Sequence, residues 1–268
     1  MDHRKIADEA LAALGTGRQV EPYSARRPPI ALADAYRVAR AIRDMRAARG
    51  EAPVGRKIGF TDRSAWVKSG AQTPVWSYIY ASTVHDLGSA TKAALTGLPE
   101  PRIEPEIVLG LARAPSAEMD ERSLAGCVGW VAHGFEIVQS LFPDWAIRPE
   151  DAAIGFGMHA SLWIGQRRPF AERAPQWIEE LPVFRVELSR DGAPVERGVG
   201  ANVLDGPLTA LRALVAMLAT DPHNPPLAAG EIVTTGTLTA APPIAPGEVW
   251  MTRLTGIPLP GLRLALSA

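Results

Sequence analysis

Apolar positions recur at helical spacing early in the chain and at strand spacing later. Over residues 2–14, Ile6, Leu11 and Leu14 form a stripe, with Asp2 as N-cap and Gly15 as stop, which predicts a short helix. Residues 15–29 are polar and loop-like. A stronger helix is predicted over 31–48, where Leu32, Tyr36, Val38, Ala39, Ile42 and Met45 line one side. Arg37, Arg40, Arg43, Arg46 and Arg49 line the other and read as a solvated face.

From Val54 the pattern shortens. Gly55-Arg56-Lys57-Ile58-Gly59-Phe60 is strand-like, Thr61 or Asp62 caps a helix through Trp66 and Val67 to Gly70, and 75–86 is extended. A strand follows at 101–110. Leu124, Val128 and Val131 predict a helix over 116–132, then a strand over about 134–140 and a turn-rich connector over 144–157. Strands are predicted at 158–164 and 182–190, with Asp191-Gly192 turning into 194–198. A helix at 207–219 precedes strands near 231–235, 248–254 and 262–266. Strands and helices do not alternate regularly, which disfavours a doubly wound sheet and predicts an α+β fold. Two regions are expected: a helical one over 1–53 and a β-rich one over 54–268.

Composition narrows the partners. The chain has 268 residues, 47% apolar and 21% charged, enough for a large core. Its 28 basic and 29 acidic residues leave a net charge of −1, so no basic excess exists to hold a phosphate backbone, and no nucleic-acid partner is expected. Cys127 is the single cysteine, so neither an internal disulfide nor a thiolate metal site is possible. Its neighbours Gly126, Val128 and Gly129 suggest a packed thiol. No apolar run reaches the ~18 residues of a membrane span, so no membrane partner is expected. Met1-Asp2-His3-Arg4-Lys5 lacks the apolar core of a signal peptide, and the expected location is the cytoplasm.

The candidate chemistry centres on Pro101-Arg102-Ile103-Glu104-Pro105-Glu106-Ile107. In a strand, Glu104 and Glu106 share one face at roughly 6.5–7 Å spacing. They repel unless water, protons or a cation lies between them. Glu136 sits in an apolar stretch, Gly134-Phe135-Glu136-Ile137-Val138, where an unpaired carboxylate is costly. A hard divalent cation held by oxygens satisfies all three; a solvated acidic strand face is the plainer alternative. Lys57, between glycines, would act beside such a site as acid, base or substrate clamp, or else is an exposed strand lysine. Arg102 shares the face of the two glutamates and would pair with them or hold a substrate carboxylate. Thr234-Thr235-Gly236-Thr237 offers hydroxyl and N–H donors to an anion, or is a simple strand-end turn. Of the scattered histidines, His133 stands nearest Glu136 in sequence and His159 second, both with a structural role as the simpler reading. No phosphate-binding glycine loop is present: Gly198-Val199-Gly200-Ala201 lacks the third glycine.

In order, Lys57-Ile58-Gly59-Phe60-Thr61, Arg102-Ile103-Glu104-Pro105-Glu106-Ile107, Glu136-Ile137-Val138, Thr235-Gly236 and Pro246-Gly247-Glu248 form one pattern. It resembles the 2-keto-4-pentenoate hydratase / 4-oxalocrotonate decarboxylase group of the fumarylacetoacetate hydrolase superfamily, over nearly the whole chain. The resemblance implies a mixed β-roll catalytic domain with an N-terminal helical part, usually in homo-oligomers. It implies Mg²⁺ or Mn²⁺ held by Glu104, Glu106 and Glu136, with Lys57 as acid/base residue and a small 2-oxo acid as substrate. Hydration is the expected reaction; decarboxylation, then acylpyruvate C–C hydrolysis, then binding without catalysis are the alternatives. Two positions depart from the family. Its hydratases carry an acidic residue where this chain has Ser77-Tyr78-Ile79-Tyr80-Ala81-Ser82-Thr83, and an Asp-Asn pair where it has Gly155-Phe156. His133, His159 or Tyr80 would be the substitute groups.

Overall fold

The computed structural model describes residues 2–66, 70–88 and 92–268. The N-terminal part is two packed helices, α1 (His3–Ala13) and α2 (Leu32–Ala47), with the Asp2 carboxylate accepting from Lys5 N–H at the start of the first.

Strands β1 (Pro53–Gly59), β2 (Val75–Tyr80), β3 (Val84–Asp86), β5 (Arg102–Leu111), β6 (Val128–Val138), β7 (His159–Ile164) and β11 (Ile232–Thr237) form one curled mixed sheet in the order β2-β1-β11-β5-β6-β7-β3. Strand β8 (Arg168–Pro169) pairs with β6. The β1–β11 and β3–β7 pairs are parallel and the others on this path antiparallel. A second sheet runs β10-β9-β12-β13-β4, from β4 (Lys92–Ala94), β9 (Arg185–Arg190), β10 (Ala193–Val199), β12 (Val249–Thr255) and β13 (Arg263–Ser267). This is the α+β β-roll expected.

Alternation sorts the side chains of β5 and β6. Ile107, Leu109 and Val131 pack with Leu208, Leu211 and Leu214 of the helix Pro207–Ala219, while Ile103, Phe135 and Ile137 pack on the second sheet through Leu188, Trp250 and Leu264. The opposite face carries Val108, Ala132 and Leu162 in a smaller cluster, and beyond them the carboxylates. The segment Gly200–Ala219 is apolar and long enough to span a membrane by composition alone, but its apolar side chains are core: Leu211 and Leu214 are fully buried.

Two expectations need correction. The helix predicted over 116–132 is only Glu121–Ala125, capped by Asp120 and ended at Gly126. From Val128 the chain is already strand, paired with β5. A strand buried on both faces reads as a continuous apolar run, which here mimicked helical spacing. The connector over 144–157 contains a helix, Pro149–Ile154, started by a proline and by the Asp151 carboxylate accepting from Arg148 N–H. The helix expected from Asp62 is described as a single turn, Arg63–Ala65; Val67 lies outside the described residues.

Candidate metal and active site

Strand pairing brings the three carboxylates together. Glu104 and Glu106 project from one face of β5, Glu104 lies directly opposite Glu136 on β6, and Glu106 lies opposite Gly134. One oxygen from each of the three lies within 4.8 Å of the others. Glu106 and Glu136 are fully buried, and the Glu104 side chain is 15% exposed.

Lys57 reaches the cluster from β1, two strands away. Its Nζ lies 3.1 Å from Glu136 Oε1 and 3.9 Å from Glu104 Oε2. Burial opposes its charge, but Glu136, Glu104 and Glu106 together outweigh burial and hold the ammonium protonated. Thr234, beside Lys57 in the β1–β11 register, donates to Glu136 Oε2 at 3.4 Å. The Gly236 N–H donates to Glu106 Oε2 at 2.8 Å. Gly236 is at φ 105 and an added Cβ would sit 2.0 Å from Thr61 Oγ1, so only glycine brings this amide so close.

The electrostatics are those of a site short of positive charge. Burial pushes Glu104 up to about 7 despite Lys57. Burial, then Glu136, push Glu106 well above the usual carboxylate range. Glu136 goes the other way: burial raises it, but Lys57 and His159 overcome that and hold it at about 2. Glu106 Oε1 is buried without a hydrogen-bond partner, an arrangement that costs about 1–3 kcal/mol or more unless something binds it. Three convergent carboxylates, one of which has an unpartnered buried oxygen, fit a hard divalent cation such as Mg²⁺ or Mn²⁺.

His159 also belongs to the site. It is the first residue of β7, and its Nδ1 lies 2.8 Å from Glu136 Oε1, the oxygen Lys57 approaches. Its Nε2 lies 2.8 Å from Thr83 Oγ1. His133, expected nearer, points away: it contacts the Glu106 carbonyl and Thr252 Oγ1, each at 2.9 Å, and burial lowers it to about 4. An odd offset of three from Glu136 puts His133 on the other face of β6.

A cavity of about 510 Å³ opens onto Lys57, Glu104 and Gly236. One wall is apolar, from Val75, Val138, Ile147, Ala152 and Met158. The other carries Thr237, Thr239, Asn202 and Arg197. The protons of Thr237 and Thr239 are spent on the Thr239 and Ala240 carbonyls. Two residues expected to hold substrate are placed elsewhere. Thr235 is buried with its hydroxyl donating to the Ile107 carbonyl at 3.1 Å, because strand alternation turns it from Thr234 and Lys57. Arg102 stacks over the Trp145 ring at 4.4 Å and is not among the described residues lining the cavity, although its charge eases Glu104.

The segment from Phe156 to Met158 shapes this site through its backbone. Phe156, Gly157 and Met158 adopt φ of 60°, 62° and 64° in succession, a strained run that costs about 1–2 kcal/mol at each non-glycine residue. It delivers His159 to Glu136 and lays Gly157 against Lys57: an added Cβ would come 2.9 Å from Lys57 Cδ and 2.8 Å from Ser77 Cβ.

No protein-family model matches the chain. It is 32% identical to a 2-keto-4-pentenoate hydratase of Paraburkholderia phymatum over 205 residues, 76% of this chain and 75% of that protein. It is 27% identical to a 2-hydroxyhexa-2,4-dienoate hydratase of Comamonas testosteroni over 237 residues, 88% and 87% of the two. In structure it superposes on a 4-oxalocrotonate decarboxylase of Pseudomonas putida G7, complexed with magnesium and adipate, at a TM-score of 0.88. That match has 24% identity and covers 98% of this chain and 97% of the other.

Proposed function

The chain belongs to the 2-keto-4-pentenoate hydratase / 4-oxalocrotonate decarboxylase group of the fumarylacetoacetate hydrolase superfamily, and from that premise we propose that it hydrates a small 2-hydroxydienoic (unsaturated 2-oxo) acid with a divalent cation. The observation that carries this reading is the Glu104–Glu106–Glu136 cluster opening, beside Lys57, onto a cavity with an apolar wall. Glu104, Glu106 and Glu136 would hold Mg²⁺ or Mn²⁺. When bound, the cation supplies positive charge for the substrate's C1 carboxylate and for the negative charge that develops on its C2 oxygen.

The chain's own groups supply the rest. The diene loses its 2-hydroxyl proton and gains one at its distal carbon, a tautomerisation that gives the 2-oxo-3-enoate. Water then adds across the double bond, hydroxyl to C4 and proton to C3. Lys57 Nζ, protonated and at the cavity wall, is the group that holds and exchanges these protons, with Glu136 keeping it charged and in place. Gly236 fixes the Glu106 carboxylate through its N–H. Val75, Val138, Ile147 and Met158 exclude water from the tail side and suit an uncharged tail. Arg197, at the cavity but 75% exposed and engaged with Glu187, is the one observation favouring a tail carboxylate and hence decarboxylation as second reading. A cytoplasmic homo-oligomer, with 1–53 as helical region and 54–268 as the metal-binding part, completes the proposal.

The test is an ultraviolet assay with Mg²⁺ or Mn²⁺ on 2-hydroxypenta-2,4-dienoate and 2-hydroxymuconate, with products resolved by mass. Gain of one water by the dienoate is expected. Loss of CO₂ from the muconate alone would favour the second reading, and metal-dependent binding with no product would refute catalysis.

A further inference from the structure

Glu136 is the only one of the three carboxylates held by two side-chain cations or ring donors at a single oxygen, among the described residues. Its Oε1 meets Lys57 Nζ at 3.1 Å and His159 Nδ1 at 2.8 Å. Its Oε2 has the Thr234 hydroxyl at 3.4 Å, a long contact that leaves this oxygen lone pairs to spare. The far nitrogen of His159 lies 2.8 Å from Thr83 Oγ1, which also lies 2.9 Å from the Tyr80 carbonyl oxygen. A continuous chain therefore runs from the Tyr80 backbone through Thr83 and the imidazole to Glu136 and Lys57. Because a carboxylate only accepts, the Nδ1 nitrogen must carry the proton in this contact.

We propose that His159 is a positioning residue for Glu136: Nδ1–H pins Oε1 beside Lys57, so that Oε2 is the oxygen left facing the cation. The inference rests on the proposed metal site. Without this ring the Glu136 carboxylate is free to rotate about its terminal torsion, which is broad and roughly two-fold, and Lys57 alone does not fix which oxygen it takes. Outer partners of this kind typically alter metal affinity by about 10–100-fold.

The experiment is calorimetric titration of MnCl₂ into chelator-stripped protein, with metal-free melting curves, for wild type and for His159→Leu, His159→Asn, Thr83→Val and Glu106→Gln. Asn carries an amide N–H at the reach of Nδ1; Leu keeps similar bulk without a donor. His159→Leu is expected to weaken Mn²⁺ binding by about 10-fold or more. His159→Asn should stay within about threefold of wild type, and Thr83→Val should fall between. Wild-type affinity in His159→Leu overturns the proposal, as does equal weakening in Leu and Asn, which would make bulk rather than the donor responsible. If His159→Leu does not fold, unchanged affinity in Thr83→Val overturns it. Failure of the metal site itself is read separately, from absent Mn²⁺ binding in wild type or undiminished binding in Glu106→Gln.

Discussion

Glu104 stands directly opposite Glu136 across β5 and β6, two carboxylates in register on one face. Like charges in that position destabilise an antiparallel pair. Lys57 answers part of the repulsion, at 3.9 Å and 3.1 Å from the two, and Glu106 adds a third acidic group beside them. The strand pair is held against its own electrostatics by the apolar packing on its other face, and it relaxes when a cation or protons enter.

Glu106→Gln removes a buried carboxylate whose Oε1 has no partner. Mn²⁺ binding and turnover should both fall by at least about 100-fold, since one ligand charge is lost. The metal-free melting temperature should stay level or rise, because a neutral amide ends the repulsion with Glu136. Calorimetry and thermal melts check this; wild-type Mn²⁺ affinity in the variant would refute the ligand assignment.

Lys57→Met should separate chemistry from binding. Turnover is expected to fall by about 10²–10⁴-fold, the usual contribution of a placed proton-transfer group. Mn²⁺ affinity should be kept or improved, because the variant removes a buried positive charge 3.1 Å from Glu136 that repels the cation. Equal loss of both would make Lys57 a structural support.

Metal-free stability should fall as pH rises from about 5 to about 7. Glu104 titrates near 7 and Glu106 well above its ordinary 4.5, so between those values the folded state holds more protons than the unfolded one. Stability then declines with pH across that window. Glu136, held at about 2, acts oppositely, its stabilising effect present above 4.5 and lost only in stronger acid. Saturating Mn²⁺ should flatten the decline, since the cation takes the place of the protons. Melting curves at several pH values, with and without metal, test the sign.

Gly157→Ala should cost both stability and turnover. The residue sits at φ 62° with Lys57 and Ser77 inside contact distance of a new methyl group. The backbone penalty is about 1–2 kcal/mol, and the displaced Lys57 stem should lower kcat several-fold or more. Gly192→Ala is the matched control: φ is 85° but nothing lies within 4 Å. It should lose comparable stability and no activity.

Strand parity made most of the site legible in the sequence. The two-residue spacing of Glu104 and Glu106, and the apolar setting of Glu136, led to a cluster that β5 and β6 do assemble. Lys57 between glycines was legible for the same reason. Proximity in sequence favours His133 over His159, but an odd offset in a strand turns His133 away. His159 reaches Glu136 only because β6 and β7 pair, a contact across 23 residues that local pattern does not carry. Thr235 shows the converse: the hydroxyl-rich turn was visible, but which of its members face the carboxylates depends on register with β1 and β5.

The apolar wall of the cavity is shared property. Val75, Val138, Ala152 and Met158 line it from one side, and from the other they pack with Ala7, Ala35, Val38 and Ile42 of α1 and α2. Of the four wall residues, only Val138 shares a strand with a carboxylate, Glu136 on β6; the helices α1 and α2 carry none of the three. Inherited changes in the first fifty residues can therefore reshape which substrate tails are admitted while the chemical step passes unaltered from ancestor to descendant. Catalysis and taste, in this architecture, are free to evolve at different rates.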